Sequence, residues 1–325
     1  MNRKFQYRNS HFDDFVSKII VLRDQYLNYL DSQSQRSSGY SIAKAQLKRR
    51  WKDPYGPLCY YVPFWYSYIF DMGESEKAMN LALANIYMYH YFTLKDDIID
   101  SELRIAPSES LISDIIFGKS IQLYLETGLD GKIFLADLNR YLDEALEAEL
   151  FLNRHRNRII EYEGKDFIMM GKKAALLKTP ASAFACVANK RDILSRLEEA
   201  LLELSIGLQI IDDLKDWRHD FKEKNFTFPL VKALEASKSY SIEKINEEKI
   251  SDFLSSPKVA NEILMIAEKH FKNAKKLMQG FNVNYLNSFV DVYISIISKK
   301  QKQLKQPLNR FGFSDIIYGN VLLDT

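Results

Sequence analysis

The chain has 325 residues, 46% of them hydrophobic and 27% charged, with only 12 Gly and 8 Pro. That composition excludes a disordered polypeptide and leaves enough apolar side chain for a large core, while the scarcity of both turn residues favours long helices over sheets. Lys and Arg number 45 against 43 Asp and Glu, a formal net charge of +2, so no global basic surface points to nucleic acid. The two cysteines, Cys59 and Cys186, lie far apart and suggest buried free thiols in a reducing compartment. No apolar signal core follows Met1, and no run reaches the ~18 apolar residues of a membrane span. A cytoplasmic protein with no membrane span is therefore expected.

Apolar residues recur at intervals of three and four, without the alternation that a sheet requires. In chain order, this predicts helices over Phe12–Leu30, Ser75–Glu102, Ser108–Glu126, Lys132–Glu161, Lys172–Ala188, Asp192–Asp220, Ser241–Leu254, Lys258–Gly280 and Val283–Gln303. A turn region is expected at Lys52–Pro57 and a break at Ala106-Pro107-Ser108. The expected fold is all-α, a single helical domain over residues 1–325 built as one bundle.

Near the end of the second predicted helix stands Asp96-Asp97-Ile98-Ile99-Asp100. Asp is a poor helix former, and like charges four apart on a helix repel, so a cation is the natural offset. Carboxylate oxygens are hard ligands suited to magnesium. Further on, Asp212, Asp216 and Asp220 fall at i, i+4 and i+8, a row on one side of a helix, with Gln209 and Asp213 beside it. Between the two motifs lies Gly171-Lys172-Lys173-Ala174-Ala175-Leu176-Leu177-Lys178-Thr179-Pro180, where Lys178 and Thr179 offer a charge and a hydroxyl at a helix break. After the row, Lys224 precedes Asn225-Phe226-Thr227-Phe228-Pro229 and could close over an anion.

In that order, Asp96-Asp97-x-x-Asp100, Lys178-Thr179, Gln209-x-x-Asp212-Asp213-x-x-Asp216 and Lys224 with Thr227-Phe228-Pro229 resemble the class I isoprenoid synthase superfamily over about residues 75–235. The resemblance implies a bundle with a central active-site cavity that takes a prenyl diphosphate with Mg2+, three ions in all. By that resemblance Asp96, Asp97, Asp100, Asp212, Asp216 and Asp220 stand on the metal side. Lys178, Thr179, Gln209, Asp213 and Lys224 serve the diphosphate, and Asp96, Asp212 and Lys178 carry the catalysis. Phe92 and Tyr89, about one and two turns before Asp96, are expected to line the cavity and shield a carbocation.

Two branches of the superfamily compete. Chain-elongating members carry a Gly-Gly-Lys-Arg-type segment early and an Arg-Arg-Gly segment after the first motif, and both hold a second diphosphate. Here Leu47-Lys48-Arg49-Arg50-Trp51 and Ser101-Glu102-Leu103-Arg104-Ile105 are only loose counterparts. Their departure from the pattern favours a terpene cyclase that ionises one allylic diphosphate. The alternative is a short-chain trans-prenyltransferase using isopentenyl diphosphate, in which bulky Tyr91 and Phe92 would favour a short product. A non-catalytic regulatory protein with the same fold ranks third, and a homodimer is compatible with any of the three. A di-iron bundle is excluded because no histidine has Glu three residues before it.

Overall fold

The structure is a computed structural model that describes residues 10–51, 58–99, 107–237 and 246–304. Among these residues there are thirteen α-helices, four short 3-10 turns and no strand. The all-α expectation holds. No described helix is long and apolar enough to cross a membrane. The chain divides into two compact units that alternate along the sequence. One comprises the described residues up to Asp137 with Thr179–Leu194; the other comprises Leu138–Lys178 and the described residues from Ser195 onward.

The first unit contains α1 (Ser10–Gln33), α2 (Ser38–Arg50), α3 (Val62–Ile69), α4 (Glu76–Ile99) and α5 (Pro107–Glu126). It also holds the first turns of α6 (Gly131–Leu152) and nearly all of α8 (Lys178–Val187). Helix α2 was not expected. Its apolar positions are few, but Ser37 caps it through the Gly39 N–H, and Tyr40, Ala43, Gln46 and Leu47 form its buried face. Helix α3 also escaped, because Val62-Pro63-Phe64-Trp65-Tyr66 is buried on every side and shows no period. Helix α4 is the spine of this unit. Leu81, Ala82, Leu83, Ala84, Ile86, Tyr87 and Met88 are all buried, as befits a helix with neighbours around its girth. Ser120 of α5 donates to the Ala84 carbonyl at 2.8 Å, and the Asn85 amide reaches the Cys59 carbonyl at 2.8 Å.

The second unit holds the rest of α6, α7 (Gly164–Lys172), α9 (Leu194–Lys222), α10 (Phe228–Ser237), α11 (Glu247–Ser255), α12 (Pro257–Leu277) and α13 (Asn284–Leu304). The helix expected over Lys132–Glu161 stops at Leu152. A 3-10 turn at Asn153–His155 follows, then a segment without helix to Glu163. The helix expected over Lys172–Ala188 is likewise broken, by a 3-10 turn at Ala175–Leu177. Polar Asn153-Arg154-His155-Arg156-Asn157 supplies no apolar stripe, and Asn157 adopts φ 58°, which no helix continues.

Two glycines let α9 pack closely. A Cβ on Gly171 of α7 would stand 2.7 Å from Ile206 Cγ1 and 2.9 Å from the Leu202 carbonyl oxygen. A Cβ on Gly207 would stand 3.0 Å from the Phe271 ring of α12. Gly171→Ala should therefore lower stability by about 1–3 kcal/mol, since the clash includes backbone that cannot turn away. The midpoint of urea unfolding measures it.

Candidate active site

The two aspartate motifs stand on separate helices, one in each unit. In the first unit, α4 carries the Asp96-Asp97 motif. Asp97 is 1% exposed, and its Oδ2 accepts from Gln46 Nε2 at 2.8 Å and Arg49 Nη2 at 2.7 Å. A buried carboxylate so held ties α2 to α4. Asp96 belongs to α4, but its side chain lies outside the described residues, as does Asp100 entirely. The loose basic segment after the motif, 101–105, also falls outside them.

The Asp97 contact brings out residues that the sequence reading passed over. Gln46 and Arg49, three apart on α2, share the face that meets α4. The same helix contributes Leu47, Lys48 and, just beyond its end, Trp51 to a cavity of about 250 Å³, completed by Arg23 and Leu27 of α1. The Arg23 guanidinium lies over the Trp51 ring at 5.3 Å. The signal that could have found this was Leu47-Lys48-Arg49-Arg50-Trp51 itself, read as a capped helix end rather than as a failed motif.

Tyr89 and Phe92, the expected lining pair, are both half-buried on α4. Tyr89 meets the Tyr60 ring edge-on at 5.3 Å, and Phe92 packs against Tyr91 at 4.8 Å.

In the second unit, α9 carries the carboxylate row. Burial and then the neighbouring Asp216 push the Asp212 carboxyl above its ordinary value. Burial likewise raises Asp220, against hydrogen bonds from Asn225 Nδ2 at 3.1 Å and Thr227 Oγ1 at 3.4 Å. Asp213 is nearly enclosed, and burial pushes its pKa up to about 8 even though Gln209 Nε2 donates to it at 2.7 Å. Tyr162 and Tyr293 lie within the field of this row, and burial first, then these carboxylates, drives their hydroxyls upward. Burial thus disfavours the ionised form along this row.

A hard divalent cation fits that donor set: aligned carboxylates, disfavoured in their ionised form and backed by neutral donors. Among the described residues no three His, Cys, Asp or Glu side chains already converge as a cage. Magnesium is commonly held by one or two carboxylates, with substrate phosphates completing its shell.

The lysines differ in their surroundings. Lys178 is buried, and its Nζ pairs with Glu144 Oε2 at 2.6 Å, with the Tyr141 ring 5.7 Å away. An anion at Lys178 would have to displace Glu144. Thr179 is fully buried, and its Oγ1 has no hydrogen-bond partner. Lys173, five residues earlier, lies close enough to Asp212 and Asp213 to favour their ionised forms, and its longer pairing with Glu149 is 3.5 Å. The sequence singles out Lys178 over Lys173 because Thr179 places a hydroxyl beside its charge. Lys224 is exposed and holds φ 53° in the turn after α9.

The raised Asp213 carboxyl has a testable sign. Its folded pKa lies above its unfolded one, so its contribution is fully present below about pH 4 and is lost as pH rises through about 8. Asp213→Asn should therefore raise the Tm of the metal-free protein by several degrees at pH 8.5, and the gain should shrink toward pH 4. Thermal unfolding across that range measures it.

This fold and this carboxylate-bearing helix define the class: the chain has the fold of the isoprenoid synthases, and the resemblance drawn from the sequence holds at that level. No protein-family model matches the chain. A geranylgeranyl diphosphate synthase of Saccharolobus solfataricus is 27% identical over 169 residues, covering 46% of this chain and 51% of that protein. The match thus spans about half the length of that curated relative. A geranylgeranyl pyrophosphate synthetase from Geoglobus acetivorans superposes with a TM-score of 0.69 at 19% identity, covering 86% of this chain and 98% of that one. A polyprenyl synthase from Caulobacter crescentus, complexed with calcium and isoprenyl diphosphate, gives 0.65 at 19% identity over 86% and 97%.

Proposed function

We propose that this chain is a magnesium-dependent trans-prenyltransferase that joins an allylic prenyl diphosphate to isopentenyl diphosphate. The observation that carries this reading is the anchoring of the basic end of α2 beside the first aspartate motif through Arg49 and Asp97. The sequence reading preferred a cyclase because cations for a second anionic substrate were not evident. Lys48 and Arg23 at a cavity walled by Leu27, Leu47 and Trp51 suit a small anion with a short apolar group. The similarity to geranylgeranyl and polyprenyl diphosphate synthases supports the same choice.

In this reading Asp212 and Asp216, with Asp96, would hold magnesium. Magnesium, when bound, neutralises charge developing on the departing diphosphate. Lys173 and Lys224 donate to the diphosphate oxygens, so the allylic C–O bond breaks with its electron pair going to diphosphate. The alkene of isopentenyl diphosphate supplies the pair for the new C–C bond, and a proton passes from the adjacent carbon to an oxygen of the departed diphosphate. Tyr89 and Phe92 keep water from the cation. Tyr91 and Phe92 favour a short product.

The test is diphosphate release from C10, C15 and C20 allylic diphosphates in magnesium, with and without isopentenyl diphosphate. Release that requires isopentenyl diphosphate and yields a longer prenyl diphosphate is expected. Hydrocarbon or alcohol formed from the allylic substrate alone would return the assignment to a cyclase.

A further inference from the structure

The turn that follows the carboxylate row is clamped by a distant stretch of the same unit. Phe226 N–H donates to the His155 carbonyl at 3.3 Å, and Asn157 N–H donates to the Lys224 carbonyl at 2.8 Å. Arg156 and Asn225 form an isolated antiparallel bridge. Both Asn157 (φ 58°) and Lys224 (φ 53°) are left-handed without being glycine, a conformation that persists only where its surroundings fix it. Those surroundings centre on buried Asp166. It accepts from Arg154, from the Glu163 N–H at 2.8 Å, and meets His155 Nε2 at 3.3 Å. The His155 ring stacks on Tyr162 at 4.5 Å, and the Tyr162 hydroxyl donates to the Phe226 carbonyl at 3.5 Å. From the turn so held, Asn225 Nδ2 donates to Asp220 Oδ1 at 3.1 Å and Thr227 Oγ1 to Oδ2 at 3.4 Å. Both oxygens of Asp220 are thereby oriented by neutral donors, which leave its charge available to a cation.

We infer that Asn225 is the positioning residue for Asp220, and that His155, Asp166 and Tyr162 serve the site by fixing the turn from which Asn225 reaches it. The inference rests on the proposed role of the row in binding magnesium diphosphate, and it assigns no chemistry to Asn225 itself. A purely structural tie would lower stability when cut. A positioning role weakens metal-dependent anion binding with the fold unchanged, because partners that orient a ligand typically contribute 10–100-fold to metal affinity.

The experiment compares wild type, Asn225→Leu and Thr227→Val by calorimetric titration of inorganic diphosphate in magnesium and by thermal unfolding without ligand. Asn225→Leu should bind magnesium diphosphate about tenfold more weakly, with an unliganded Tm within about 2 °C of wild type, and Thr227→Val about threefold more weakly. Wild-type affinity in a folded Asn225→Leu protein overturns the inference. Should Asn225→Leu lose its fold, wild-type affinity in Thr227→Val overturns it equally. A wild-type protein that binds no diphosphate in magnesium overturns the proposed function instead.

Discussion

Asp212→Ala is expected to reduce magnesium-dependent diphosphate release by about a thousandfold or more while leaving the protein folded. Loss of one group that stabilises charge in a transition state typically lowers kcat by about 10²–10³. Asp212 also stands first in the row, so its removal weakens the metal site itself. Its carboxyl is raised by burial and by Asp216, and in the metal-free protein its ionised form is a burden. The Tm without metal should therefore hold or rise at pH 8. Activity lost together with folding would point to a structural role, and retained turnover would remove Asp212 from the site. The combination of silent catalysis and undiminished stability is what separates a metal-binding carboxylate from a core one.

Arg49→Ala is expected to act in the opposite sense, lowering stability by about 2–4 kcal/mol. Asp97 is 1% exposed, and removing one partner of a buried charge typically destabilises by about 3–5 kcal/mol. Half of the Arg49 side chain is exposed and Gln46 remains in place, which moves the expectation to the lower part of that range. Adding Asp97→Asn to Arg49→Ala should recover much of the loss, a coupling that urea unfolding of the four-protein cycle reads directly. In turnover, Arg49→Ala should raise the KM for isopentenyl diphosphate more than that for the allylic substrate. Equal stability of the single variant and wild type would mean that the Asp97 pair does not tie α2 to α4.

The helical class and the helical placement of Asp96-Asp97 and of the Asp212 row were legible because they rest on local rules. Spacings of four residues survive any tertiary arrangement, and long apolar periodicity marks α9, α12 and α13. Short helices buried on all sides were not legible. In α3 nearly every residue is interior, so no polar face sets a period. The register of the basic groups was not legible either. Lys173 and Lys178 differ by five residues, and only the three-dimensional placement pairs one with Glu144 and sets the other near Asp212. The same holds for Asp97. A doublet of aspartates reads as two equivalent ligands, whereas neighbouring helix positions point about 100° apart, and α2 takes the charge of this one. The branch preference turned on cations expected in a fixed motif, whereas Arg23 reaches the cavity of Lys48 from another helix, a placement that no motif within α2 can show.

The proposed function rests on the α9 carboxylates holding metal ions against a diphosphate. Crystals grown with manganese in place of magnesium, plus inorganic diphosphate, test it through anomalous scattering. Manganese peaks bonded at once to diphosphate oxygens and to Asp212 or Asp216 are expected. Diphosphate bound with manganese away from that row would contradict the account.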